Sequence, residues 1–207
     1  MMAILKMILL KVQPLVGSIR KGDFIPVKEN GFWKFRSPPV KFLKKAAMLF
    51  NQLGGETIIE IGSGIHGKMA GNSILIWSRK TSAKTIIAID LDQERINEVK
   101  RATSQYPNVE AIATDGIEYL KRFSKKIDLL YLDFWAPDPK GTLPGTGRAE
   151  AYLEAYHAAK EKMNVRSLIL IDDTDHVHPW KHTYIIPEAR KDGYAVLYTG
   201  RQTLLKR

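Results

Sequence analysis

Five short stretches of the chain are almost continuously apolar and rich in β-branched residues: 57–61 (TIIEI), 84–90 (KTIIAID), 109–113 (VEAIA), 126–133 (KIDLLYLD) and 167–171 (SLILI). Runs without a wet face predict parallel strands covered on both sides. The stretches between them read as crossover helices over 72–79, after Asp92, over 117–123 and over 149–163. A further helix is expected over 179–191. The runs 194–198 and 203–206, joined through Gly200-Arg201-Gln202, predict a hairpin. Strands alternating with helices predict an α/β fold with a mostly parallel sheet.

The first third has another texture. Residues 1–17 (MMAILKMILLKVQPLVG) are apolar, but Lys6 and Lys11 interrupt them, and no span nears the roughly 20 residues a bilayer requires. They predict no membrane span and lack a clear signal-peptide pattern. An amphipathic segment packing on the domain or on a partner subunit is expected, which is compatible with a homodimer. Residues 21–41 mix glycine, proline and aromatics and predict an ordered cap, with Phe32, Trp33 and Phe35 sealing a core edge or flooring a substrate pocket. Ser37-Pro38-Pro39 then reads as a helix start, and Gly54-Gly55 as its end. The expected organisation is a cap and helix over 1–55 and a core over 56–207, compact as one domain.

The first apolar strand runs into Gly62, Gly64 and Gly67, which tolerate positive φ and let backbone N–H groups approach a ligand. Their spacing also satisfies the dinucleotide fingerprint and does not by itself separate NAD from other adenosine cofactors. Glu60 does: a carboxylate two residues before the first glycine repels a pyrophosphate and attracts the ammonium of a sulfonium amino acid. The plain alternative is a strand-end charge beside a tight turn. The E-x-G-x-G pattern resembles the first motif of class I S-adenosylmethionine-dependent methyltransferases. That resemblance spans roughly 56 to 207 and implies a Rossmann-like, doubly wound sheet of seven strands whose last strand runs antiparallel. It implies S-adenosylmethionine as cofactor, held by Glu60, Gly62, Ser63, Gly64 and His66. Asp90, ending the second strand, is the expected ribose ligand, and Asp92 an N-cap. Asp115 and Gly116 either meet the adenine or make a turn. Trp135 packs on the adenine face or walls the pocket, and Asp133, at the end of the fourth strand, is expected to touch the cofactor as well.

Two later strands end in acids: Asp133 (LDFW), and Asp172 and Asp173 (IDDT). Carboxylates gathered in one cleft repel each other and call for a cation. These words resemble the metal-binding acids of catechol-type and sugar-type magnesium-dependent O-methyltransferases, which implies Mg²⁺ held by Asp133, Asp172 and Asp173. Successive strand side chains face opposite ways, so the last two share an ion only if the chain has already left the strand. The catechol-type enzymes carry a lysine directly after the tryptophan, where this chain has Ala136. His176 is therefore the expected general base beside Asp133, with His178, Asp138 and Lys140 as alternatives. The Pro- and Gly-rich run 136–148 reads as a lid or substrate contact.

Composition narrows the rest. The 207 residues suit one domain, and the absence of cysteine fits a reducing cytoplasm. A net charge of +10 favours an acidic or phosphorylated partner. The expected activity is metal-assisted O-methylation of a small-molecule hydroxyl. The rivals are an RNA or other nucleic-acid methyltransferase, encouraged by the basic residues of 34–45, and a non-catalytic cofactor-binding protein, with a dehydrogenase the weakest.

Overall fold

The computed structural model describes residues 25–29, 32–36, 39–65, 72–135, 146–175 and 180–207. It divides into two units, Met1–Pro38 and Pro39–Arg207. In the first, strands β1 (Ile25–Glu29) and β2 (Phe32–Arg36) pair antiparallel with Ile25 opposite Arg36. The expected cap therefore contains a hairpin. The first helix belongs to the larger unit.

That helix, α1 (Pro39–Gln52), starts on a proline and buries Leu43, Ala46, Ala47 and Phe50 at helical spacing. It stops where Gly55 N–H reaches back to the Phe50 carbonyl at 2.9 Å. Then follow β3 (Thr57–Ile61), α2 (Ser73–Lys80), β4 (Thr85–Asp90), α3 (Gln93–Ala102), β5 (Val109–Ala113), α4 (Gly116–Arg122) and β6 (Ile127–Leu132). The chain continues through α5 (Thr146–Ala159), a 3₁₀ turn (Lys160–Lys162), β7 (Met163–Ile171), α6 (Ile185–Lys191), β8 (Ala195–Tyr198) and β9 (Thr203–Lys206). No helix among the described residues is long and apolar enough to cross a membrane.

The seven-stranded sheet has the order β5-β4-β3-β6-β7-β9-β8. β3 to β7 are mutually parallel, and β9 runs antiparallel to both its neighbours, β7 and β8. The expected fold class is thus the observed one. Alternate residues of β3 serve opposite faces: Ile59 and Ile61 pack with Tyr152, Tyr156 and Ile185, whereas Ile58 packs with Phe50, Ile74 and Trp77. Successive crossovers change direction between β3 and β6, and an open sheet binds its ligands beyond the strand carboxyl ends at such a point.

Two boundaries differ from expectation. β7 begins at Met163, where a helix was expected, because Ser167 Oγ accepts from Asn164 N–H at 2.9 Å and donates to the Ile127 carbonyl at 2.7 Å. These bonds carry the irregular start of the strand alongside β6, whose register shifts between Ile127 and Leu129. α6 starts at Ile185 rather than 179. Pro187 has no N–H, so it sits in a helix's first turn and would break a helix begun earlier. Residues 180–184 make turns instead, held by Trp180 N–H on Thr183 Oγ1 at 2.7 Å.

Candidate active site at the strand carboxyl ends

One row of the sheet organises the site. Ile61 of β3 registers with Leu132 of β6, and Leu132 with Ile171 of β7. The next residue on each strand is Gly62, Asp133 and Asp172, and the ladder extends through them: Asp133 N–H donates to the Ile61 carbonyl at 2.9 Å and Asp172 N–H to the Leu132 carbonyl at 3.0 Å. Sheet register alone sets these three side by side.

Gly62 has φ +90°, and an added Cβ would lie 2.2 Å from the Asp133 carbonyl oxygen. Glycine is required there by the passage of the turn against the end of β6. The N–H groups of Gly62 and Ser63 both donate to the Ile89 carbonyl, at 2.8 and 3.0 Å. Sequence reasoning offered the backbone of this turn to a ligand, but these two donors bind β4. Gly67 and His66 lie outside the described residues.

Glu60 is fully buried on the α2 face of the sheet. Ser73 Oγ donates to its Oε1 at 2.8 Å and Trp77 Nε1 to its Oε2 at 2.6 Å. Burial pushes the carboxyl up to about 7, against the opposing effect of these donors. The expected magnet for an ammonium group is in this structure a fastener between β3 and α2. Ser73 and Trp77 stand one turn apart on α2, a spacing visible in the sequence although nothing there announced their partner.

The acids at the ends of β6 and β7 do converge: one carboxylate oxygen from each of Asp133, Asp172 and Asp173 lies within 4.8 Å of the others. Asp173 has φ +55°, so the chain has left the strand and the alternation that would separate it from Asp172 no longer applies. Two cations missed by sequence reasoning sit among them. Lys181 Nζ lies 3.2 Å from Asp133 Oδ1 and 3.5 Å from Asp173 Oδ2. Arg201 reaches Asp173 at 3.6 Å and Asp172 at 4.0 Å. Gln202 Nε2 donates to Asp172 Oδ1 and, at 3.2 Å, to the Tyr131 hydroxyl, which donates to Asp133 Oδ2 at 3.4 Å. Burial raises the Asp133 carboxyl, with Lys181 opposing. Asp172 is pushed well above the usual range by burial and then by the charges of Asp133 and Asp173.

In kind and spacing the three acids suit Mg²⁺, which prefers oxygen ligands. Their charges are already answered by Lys181 and Arg201, and a divalent ion between Asp133 and Asp173 would have to displace a buried ammonium. As arranged, the residues do not fit the expected ion, and no chemistry below is routed through one.

A cavity of about 90 Å³ is lined by Gly62, Gly64, Ser73, Asp133, Asp172 and Arg201, among others. It admits one small functional group, since a water takes about 30 Å³ and a whole-ligand pocket about 300–1,000 Å³. A larger cavity of about 580 Å³ runs beside β5 and the end of α4, among Thr85, Glu110, Tyr119 and Arg122. Gly62, Asp133 and Asp172, which follow the carboxyl ends of β3, β6 and β7, line the small cavity and not the larger one.

The other expected residues follow along the same carboxyl edge: Ile61 registers with Ile89, so Asp90 stands next to Gly62, and Asp115 follows β5. Asp90 accepts from Asp92 N–H at 2.9 Å on one oxygen, and Arg95 lies 3.8 Å from the other. Asp92 caps α3 through Glu94 N–H at 2.8 Å, as expected. Asp115 caps α4 through Ile117 N–H at 2.8 Å and Glu118 N–H at 3.0 Å, which favours its reading as a turn residue. A Cβ on Gly116 would meet Ile61 Cγ2 at 2.3 Å, so this glycine lets α4 start tight against β3. Trp135 is 66% exposed. The Arg148 guanidinium lies over its ring at 3.0 Å from the centroid, and Trp180 meets it edge-on at 6.5 Å. Among the described residues, the Trp135 ring face carries a cation. His176, His178, Ala136, Asp138 and Lys140 lie outside the described residues.

No protein-family model matches the chain, and no curated protein does. Its structure is similar to that of solved proteins. A protein of Clostridium thermocellum provisionally named an rRNA methylase is 11% identical with a TM-score of 0.57, covering 83% of this chain and 97% of its own. An SAH-bound methyltransferase of Podospora anserina is 17% identical with a TM-score of 0.56, covering 81% and 77%. The precorrin 8w decarboxylase of Methanobacterium thermoautotrophicum is 16% identical with a TM-score of 0.54, covering 79% and 87%. At these identities the likeness shows a shared fold: the chain has the class I methyltransferase architecture.

Proposed function

We propose that this protein is an S-adenosylmethionine-dependent methyltransferase that methylates a hydroxyl of a small-molecule acceptor. The observation that carries the reading is the convergence of the Gly62 turn, Asp133 and Asp172 on one cavity at the ends of β3, β6 and β7. The engagement of the Gly62 and Ser63 N–H groups with the Ile89 carbonyl supports it against a dehydrogenase, because a pyrophosphate would lose two of the donors it needs from such a turn. The fold shared with an SAH-bound methyltransferase supports it too.

The methyl of a sulfonium is already activated, so the protein must align the acceptor oxygen with it and remove one proton. Asp133 lines the cavity, and burial makes its carboxylate a stronger base than an exposed aspartate. It would take the proton of the acceptor hydroxyl as that oxygen forms its bond to the methyl, the bound sulfonium supplying both the activated methyl and, as the C–S bond breaks with its electron pair kept on sulfur, the leaving group. Tyr131, held protonated by burial, and Lys181 keep that carboxylate oriented. Calorimetry tests the reading: S-adenosylmethionine should bind and NAD should not, and the reverse result would refute it. Asp133→Asn should bind the cofactor as before and lose about 10²-fold or more in turnover, the usual contribution of a positioned base.

The net charge of +10 favours a second reading, methylation of RNA. RNA affinity falling steeply between low and high salt, with several phosphate contacts in the slope, would support it over the small-molecule acceptor.

A further inference from the structure

Lys181 is 2% exposed, and a lysine is almost never so buried unless paired. Its Nζ spans Asp133 at the end of β6 and Asp173 beyond β7, two of the three carboxylates that would be a metal's ligands. Arg201 closes the other side on Asp172 and Asp173. Among the described residues, three carboxylates thus face two cations of the chain's own. A divalent ion added to that arrangement would stand against an ammonium at contact distance. Ejecting Lys181 instead would break both its ion pairs and leave its buried place empty.

We propose that the Lys181 ammonium is the resident cation of this site, standing where a divalent ion would otherwise bind, so that the site operates without a metal. This deepens the methyltransferase reading and rests on it only for what the site does. Lys181 is a positioning residue here: it holds Asp133 and Asp173 together, fixes the carboxylate facing the acceptor, and supplies the positive charge beside the acceptor oxygen that a metal would supply. The acceptor is accordingly a compound bound through hydrogen bonds from a hydroxyl, with no need of two neighbouring oxygens for chelation.

The test uses the full chain and Mn²⁺ as probe, with free ion followed by electron paramagnetic resonance. The wild-type protein should take up no stoichiometric Mn²⁺ at concentrations up to about 1 mM, the weak end of the range of protein cation sites. Lys181→Met should gain one Mn²⁺ site at least about tenfold tighter than any in the wild type, and the double variant Lys181→Met, Asp133→Asn should lose it. A merely structural lysine would give no such gain. Stoichiometric, Asp133-dependent Mn²⁺ binding by the wild type would overturn the proposal, as would a folded Lys181→Met with no gain. If Lys181→Met does not fold, the wild-type measurement with Asp133→Asn still decides. The readout does not involve S-adenosylmethionine, so a failure of cofactor binding in calorimetry counts against the methyltransferase reading alone.

Discussion

Two sets of carboxylates lie on neighbouring central strands, and the protein treats them in opposite ways. Among the described residues Glu60 meets neutral donors, Ser73 and Trp77 among them, and lies so deep that burial brings its carboxyl to about 7. Asp133, Asp172 and Asp173 meet Lys181, Arg201 and the amide of Gln202, and keep a face on a cavity. A carboxyl that only joins a helix to a sheet can be left half-protonated near neutrality, and two neutral hydrogen bonds suffice. A cluster of three acids at a cavity is instead set against cations, with Lys181 opposing the effect of burial on Asp133. The sequence motif drew attention to Glu60 first, and the proposed base, Asp133, stands one strand away.

The largest test of this contrast is pH. Glu60 binds its proton more tightly folded than unfolded, so its contribution to stability is fully present below about 4.5 and is lost as pH rises through about 7. At 1.36 kcal/mol per unit, the loss approaches about 3 kcal/mol. Glu60→Gln should remove that slope, measured as the difference between wild-type and variant urea-unfolding free energies from pH 4 to 8. Asp133 and Asp172 titrate in the same direction and cancel in the difference. A difference flat with pH would mean that Glu60 is not perturbed.

Next in size is Lys181→Met, which takes from Asp133 the cation beside it and leaves Asp173 to Arg201. Breaking a buried pair by removing one partner costs about 3–5 kcal/mol, and the partial exposure of Asp133 and Asp173 brings the expected cost nearer about 2–3 kcal/mol. Trp77→Phe sharpens the contrast from the other side. It strips a neutral donor from Glu60, at about 1–3 kcal/mol at pH 8 and less at pH 5, where the carboxyl is protonated. Equal costs at both pH values would show that ring packing dominates. The smallest effect is Asp115→Ala: loss of the α4 cap should cost about 1 kcal/mol and leave cofactor affinity unchanged, whereas a large fall in affinity would restore the adenine contact expected from sequence.

Much of the fold was legible because its strands are buried on both faces and read as unbroken apolar runs, as in β4 and β6. The start of β7 was not, since Asn164 and Arg166 hide a strand that lies irregularly beside β6. The start of α6 was legible in principle from Pro187. In the site, Asp133, Asp172 and Asp173 could be found because acids that end apolar strands stand out. Lys181 and Arg201 could not: each is one basic residue among many in a chain of charge +10, and only the turn before α6 and the β8–β9 connection bring them to the cluster. Asp115 shows the limit of order along the chain: its Oδ1 serves backbone N–H groups two and three positions on, a role the sequence offered beside the adenine contact.

The most direct test is a crystal structure of the protein with S-adenosylhomocysteine. The account predicts the homocysteine sulfur beside the Gly62 turn with Asp133 facing it, and Lys181 still bridging Asp133 and Asp173. Ligand density in the cavity beside β5 and α4 alone, or none at the ends of β3 and β6 under saturating cofactor, would contradict it.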